Sequence, residues 1–122
     1  YINHIISIIT GPELISGSTR LKAGTATKMV LNMITTSIMI KLNKTYNNYM
    51  VDLKVSNKKL LERGINIINK ISGLNRLDSK KLLNEARGEV KMALAMNKLN
   101  CNYPDARKKL NAVDGNLGMI LD

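Results

Sequence analysis

The sequence predicts a mostly α-helical chain that carries the end of an α/β domain. Three observations point there. Residues 4–10, HIISIIT, are β-branched and almost continuously apolar, as in a strand buried on both faces of a parallel sheet. Gly11-Pro12 stops that run, and a small polar loop, SGSTRLKAGT (16–25), leads into an apolar stretch. From residue 56 onward the chain breaks into short amphipathic segments bounded by Asn, Asp and Gly. Strand, glycine-bearing loop and helix in that order are the local pattern of an α/β domain.

Between Thr25 and Leu42 the apolar positions 26, 29, 30, 33, 34 and 38 share one helical face. Leu31, Met39, Ile40 and Leu42 add apolar surface elsewhere, so the spacing predicts a long helix buried nearly all round. A loop is expected at 43–48. Ser56 then reads as an N-cap and Gly73 as a C-cap, with Leu60, Leu61, Ile65, Ile67, Ile68 and Ile71 as the buried face. Asp78 reads as the cap of a third helix ending before Gly88, and residues 89–99 as a fourth. Asn102 reads as the cap of a fifth, with Pro104 tolerated in its first turn and Asp105 favouring the helix dipole. Gly115 sets off a short last helix.

Two of these segments match one another. LLNEARGEVKMAL (82–94) and KLNAVDGNLGMIL (109–121) align at Leu83/Leu110, Asn84/Asn111, Gly88/Gly115, Val90/Leu117, Met92/Met119 and Leu94/Leu121, at a constant offset (115 − 88 = 27). Two copies are too few for a solenoid, so they predict a compact helical subdomain. The expected organisation is residues 1–55 as the end of an α/β domain and 56–122 as that subdomain.

Composition excludes several functions. The 122 residues suit one domain or a piece of a larger one, and the core must come from Ile, Leu, Met, Val and Ala, since Trp and Phe are absent. Opening on Tyr1 rather than Met, close to an apolar run, suggests a fragment. The formal net charge of +10 comes from 19 basic and 9 acidic residues, but the lysines are spread along the chain. The four tyrosines lie in no nucleic-acid motif, so nucleic acid is not the expected partner. Cys101 is the only cysteine and His4 the only histidine, which leaves no intrachain disulfide, thiolate cluster or multi-histidine zinc site. No apolar run reaches the roughly 20 residues of a membrane helix. A cytoplasmic protein is expected.

The loop at 16–25 carries the chemistry. It has no Walker or dinucleotide fingerprint. Hydroxyls, backbone N–H groups and fixed positive charge at a helix start can hold phosphate, while the same small residues also make an ordinary turn and cap. GPELISGSTRLKAGTATKMVLNM (11–33) resembles the signature of the N-acetylmuramic acid 6-phosphate etherases, shared with glucokinase regulatory protein in the sugar-isomerase (SIS) fold. The resemblance continues through KLNKTYNNYMVDLKVSNKKL (41–60), EARGEVKMALAM (85–96) and DARKKLNAVDGNL (105–117). It implies the carboxyl-terminal portion of such a protein: the last strand, signature loop, long helix and helical tail.

The resemblance implies a homodimeric lyase that acts without metal or nucleotide on a phosphosugar. It cleaves the D-lactyl ether of N-acetylmuramic acid 6-phosphate, giving N-acetylglucosamine 6-phosphate and D-lactate in peptidoglycan recycling. The family's two catalytic glutamates belong to sequence preceding this span. The four glutamates here, Glu13, Glu62, Glu85 and Glu89, form no acid–base pair around one centre, so no catalytic residue is assigned. Ser18, Thr19, Arg20 and Lys22 match the motif as substrate-binding residues, with Gly17 and Gly24 as its glycines. Arg20 is the first choice for an anionic group, because its planar fork suits phosphate and carboxylate alike. Lys22 reads first as a solvated helix-start lysine and second as a ligand contact, Glu13 as a structural acceptor for the loop's N–H groups, Asp52 as a turn or cap residue, and Cys101 as core. Two other readings stay open: a regulatory phosphosugar-binding module, and an interaction module in which Leu83, Leu94, Leu110 and Leu121 are partly exposed.

Overall fold

The computed structural model describes residues 3–122, so Tyr1 and Ile2, where the chain opens, lie outside the described residues. The chain is mostly helical. In order it forms α1 (Lys22–Lys41), β1 (Thr45–Tyr46), β2 (Tyr49–Met50), α2 (Lys58–Ser72), α3 (Arg76–Glu85), α4 (Val90–Leu99), α5 (Tyr103–Ala112) and α6 (Gly118–Leu121). It divides into two units, one up to Met39 and one from Ile40 to Asp122.

The first unit holds the irregular amino-terminal stretch, the loop and most of α1. The strand expected at 4–10 does not form here: these residues have no regular secondary structure and most are exposed. A strand needs a neighbour to take up its N–H and C=O groups, and no other described strand pairs with this stretch. The helix forms where its periodicity predicts, but no residue of α1 is buried. Met29 is 59 % exposed and Met33 58 %, which corrects the expectation of a buried helix. Periodicity reports that a face is apolar; only a second layer of structure can cover it.

The second unit builds its own core. β1 and β2 form a two-residue antiparallel hairpin, with Thr45 opposite Met50 and Tyr46 opposite Tyr49, where only a loop was expected. Asn47, at φ +50°, supplies the left-handed turn residue. Val51, Ile65, Ile68, Leu83, Val90, Leu94 and Leu117 are all at most 1 % exposed and pack into one cluster. Ile65, Ile67 and Ile68 of the expected α2 face are buried, and Leu61 and Ile71 pack partly against them. Gly64 is where α2 approaches most closely: a Cβ there would lie 3.0 Å from Leu83 Cδ2 and from Val90 Cγ2. Cys101 is half-buried against the same core. Met92 and Met96 are buried, whereas Met119 is exposed.

The caps follow the sequence with small shifts. Asn57 rather than Ser56 caps α2, its side chain accepting the Leu60 N–H, and Gly73 closes the helix at φ +75°. Asn75 rather than Asp78 caps α3, accepting the Asp78 N–H. Asn102 caps α5 by accepting the Asp105 N–H, with Pro104 in the first turn.

The internal repeat is structural. Its offset relates both caps (75 + 27 = 102) and both N–H donors to them (78 + 27 = 105). Each copy leaves its first helix through two successive left-handed residues, Arg87-Gly88 and Asp114-Gly115. The Gly88 N–H donates to Leu83 O and the Gly115 N–H to Leu110 O, at 2.9 and 2.8 Å. Leu83, Leu94 and Leu110 are buried and Leu121 is half-buried against the core, so the interaction-module reading fails.

Candidate phosphate-binding loop

The loop before α1 is held by Glu13. Its two carboxylate oxygens accept the N–H groups of Lys22 (2.9 Å) and Ala23 (3.0 Å), which have no intrahelical acceptor at a helix start. Nine residues of chain are thereby folded back over the first turn. The Ala23 N–H, then the Lys22 N–H, hold the Glu13 carboxyl below the usual carboxylate range. Glu13 is therefore a structural acceptor, as the sequence suggested.

Gly17 sits at φ +81°, a left-handed position that suits glycine. The Ser18 N–H donates to Ile15 O and the Thr19 N–H to Gly17 O, giving two tight turns. The Gly24 N–H donates to Thr19 O at 2.8 Å, and a Cβ on Gly24 would lie 3.2 Å from that oxygen, tighter than a side chain comfortably allows.

Of the four predicted contact residues, Ser18 is half-buried while Thr19 and Arg20 are exposed. The Arg20 guanidinium has no hydrogen-bond or ion-pair partner among the described residues, leaving its fork open. Lys22 differs. Its ammonium donates to Pro12 O at 2.8 Å and its N–H to Glu13, so it also fastens the loop. The loop thus presents hydroxyls and a guanidinium at a helix start where two N–H groups are already taken by Glu13.

The second unit carries a polar network with no local sequence signal. Asp52 accepts from the Lys44 ammonium and lies 3.6 Å from the Lys91 ammonium. It is an ion-pair hub rather than a turn or cap residue. Burial opposes its ionisation, but the Lys44 hydrogen bond and the charge of Lys91 together hold its carboxyl below the usual range. Lys91 donates to Asn43 O at 2.7 Å, and burial lowers its basicity. Asn43, at φ +56° just past α1, also donates from its side chain to Asp114 O at 3.1 Å. Nearby, Glu89 accepts from Tyr103 and Arg107, while the Arg87 guanidinium lies 4.4 Å from the Tyr103 ring centre. Among the described residues no group of three His, Cys, Asp or Glu could hold a metal ion, and no helix is long and apolar enough to cross a membrane.

Comparison with known proteins gives the kinship. Residues 47–91 match a family model described as the C-terminal lid domain of glucokinase regulatory protein. N-acetylmuramic acid 6-phosphate etherase from Prochlorococcus marinus (strain NATL1A) is 51 % identical over 95 % of this chain. The chain belongs to the family of these etherases, aligning with their carboxyl-terminal part. The etherases of Rhodopirellula baltica and Clostridium acetobutylicum are 46 % and 48 % identical, over 96 % and 90 % of the chain. The etherase-family chain spans less than two fifths of the length of these relatives: 37 %, 39 % and 36 %.

Proposed function

We propose that this chain is the carboxyl-terminal part of an N-acetylmuramic acid 6-phosphate etherase. The complete protein is then a carbon–oxygen lyase that releases D-lactate from N-acetylmuramic acid 6-phosphate in cell-wall recycling. The observation that carries the reading is identity near one half, sustained over more than nine tenths of the chain, with relatives named as that enzyme. The regulatory-module reading is not favoured, since these relatives bear the etherase name. Under this proposal the complete enzyme is a cytoplasmic homodimer without metal or nucleotide. Its catalytic glutamates come from sequence outside this span, which alone is inactive.

Ser18, Thr19 and Arg20 are assigned to the phosphosugar, Arg20 first, because its guanidinium is exposed and uncommitted. Lys22 joins them only with whatever donor capacity Pro12 leaves it. The test is Arg20→Ala in the complete enzyme. A charge-assisted bond is worth about 1.5–3 kcal/mol, so kcat/KM should fall roughly 10- to 150-fold. The melting temperature should hold, since an exposed side chain supports little of the fold. Arg20→Lys should recover only part of the loss, keeping the charge but not the fork. Unchanged kcat/KM in the Arg20→Ala enzyme would leave the loop as a turn and cap alone.

A further inference from the structure

We propose that the groove between the β1–β2 hairpin and α2 is a binding site for a phosphate monoester of sugar size. The arginines differ in their partners. Of the five in the chain, Arg76 is paired with Glu62, Arg107 with Glu89, and Arg87 lies over Tyr103. Arg20 belongs to the loop described above. Arg63 is the other guanidinium without a carboxylate or aromatic partner among the described residues. Its sequence neighbour Glu62 is taken by Arg76.

Arg63 lines a groove of about 450 Å³ together with Asn66, Lys70, Tyr49, Met50 and Ile67. Arg63, Asn66 and Lys70 recur at helical spacing on α2, so one face presents a fork, an amide and an ammonium. Seven residues of helix separate the two cations by about 10 Å, which two long side chains can close onto one anion between them. No carboxylate lines the groove, and neither Lys70 nor Asn66 has a side-chain partner among the described residues. A second cleft of this unit is different: Asp52 and Glu89 line it, and pair with Lys91 and Arg107.

The volume and the apolar components set the ligand class. Inorganic phosphate fills only a small part of about 450 Å³, which lies in the range of small-molecule sites. Half-buried Met50 and Tyr49 offer apolar and aromatic surface, which suits the carbon face of a sugar ring. The guanidinium fork suits two phosphate oxygens, and the ammonium adds a point charge. The site uses no residue of the loop at 16–25.

The experiment is a titration of the 122-residue chain with glucose 6-phosphate, followed through backbone amide resonances. The expected result is saturable movement of Tyr49, Met50 and residues 63–70. Glucose should produce none, and inorganic phosphate should bind more weakly. Arg63→Gln should weaken binding about tenfold or more, and Lys70→Gln several-fold. Lys59→Gln, which removes an α2 charge outside the groove, should leave it unchanged. Both groove side chains are exposed, so dispersed spectra are expected from each variant. Movement confined to residues 17–24 would overturn the site while supporting the loop. So would affinity unaltered in Arg63→Gln, or movement of the groove amides only with a single-stranded oligonucleotide.

Discussion

Glu13 shows how one side chain decides what a loop can do. With both oxygens committed to the Lys22 and Ala23 N–H groups, it occupies the donors an incoming anion would otherwise use. Under the proposed function, specificity in the loop then falls to Ser18, Thr19 and Arg20. Because hydrogen bonding lowers the Glu13 pKa in the folded chain, its capping is complete above the ordinary value of 4.5. It is lost as pH falls through the lowered folded value. The Lys22 and Ala23 amide proton shifts should therefore titrate together with a midpoint below 4.5, and Glu13→Gln should abolish the titration. A midpoint at or above 4.5 would contradict the hydrogen bonds. Lys91 makes the opposite case, a cation whose burial is tolerable because Asn43 O and Asp52 face it. Lys91→Met leaves that carbonyl without its donor and should cost about 1–3 kcal/mol in chemical unfolding. The structural role of Glu13 and the Asn102 cap were legible from local sequence. The Lys91–Asp52 pair was not, because the partners are 39 residues apart (91 − 52 = 39) and no spacing rule joins them.

Among the elements, the repeated helix–glycine–helix unit was the most legible and α1 the least. The 27-residue offset predicts equivalent backbone roles, and the paired Asn caps and left-handed glycines fulfil them. Asn75→Ala and Asn102→Ala should accordingly cost similar amounts, about 1 kcal/mol each, in denaturant titrations. Markedly unequal losses would argue that the copies are not equivalent. Gly64 sets a contest between two effects. Alanine gains about 1 kcal/mol in helix propensity, while overpacking a tight core costs about 1–3 kcal/mol. Two contacts at 3.0 Å favour the second, so Gly64→Ala should be destabilising on balance. The hairpin at 45–50 escaped sequence reading because strands of two residues are too short for alternation to register. For α1 the period gave the helix correctly, and its burial incorrectly, because the covering layer is not specified by the helix's own residues.

On the scale of the molecule, apolar surface is unevenly distributed. The buried core lies entirely between Val51 and Leu117, within the second unit. The first unit keeps Ile5, Ile9, Leu14, Met29 and Met33 more than half exposed. Exposed apolar surface of that kind marks a face meant to be covered. Limited proteolysis should therefore cut before residue 43 and leave 43–122 resistant, since resistance follows burial and backbone hydrogen bonding. Cleavage that began within α4 would contradict this division.

The bond from the Asn43 side chain to Asp114 O has a kinetic consequence. It joins residues 71 apart, whereas each copy of the repeat closes its turn within a few residues. Contacts that close short loops form early on the way to the native state, and those spanning long loops generally form late. The two helical copies should thus collapse first, and the far end of α1 should be latched on after the rate-limiting step. Removing that latch with Asn43→Ala should hasten unfolding while leaving the refolding rate nearly untouched, as late-forming contacts do in stopped-flow chevrons.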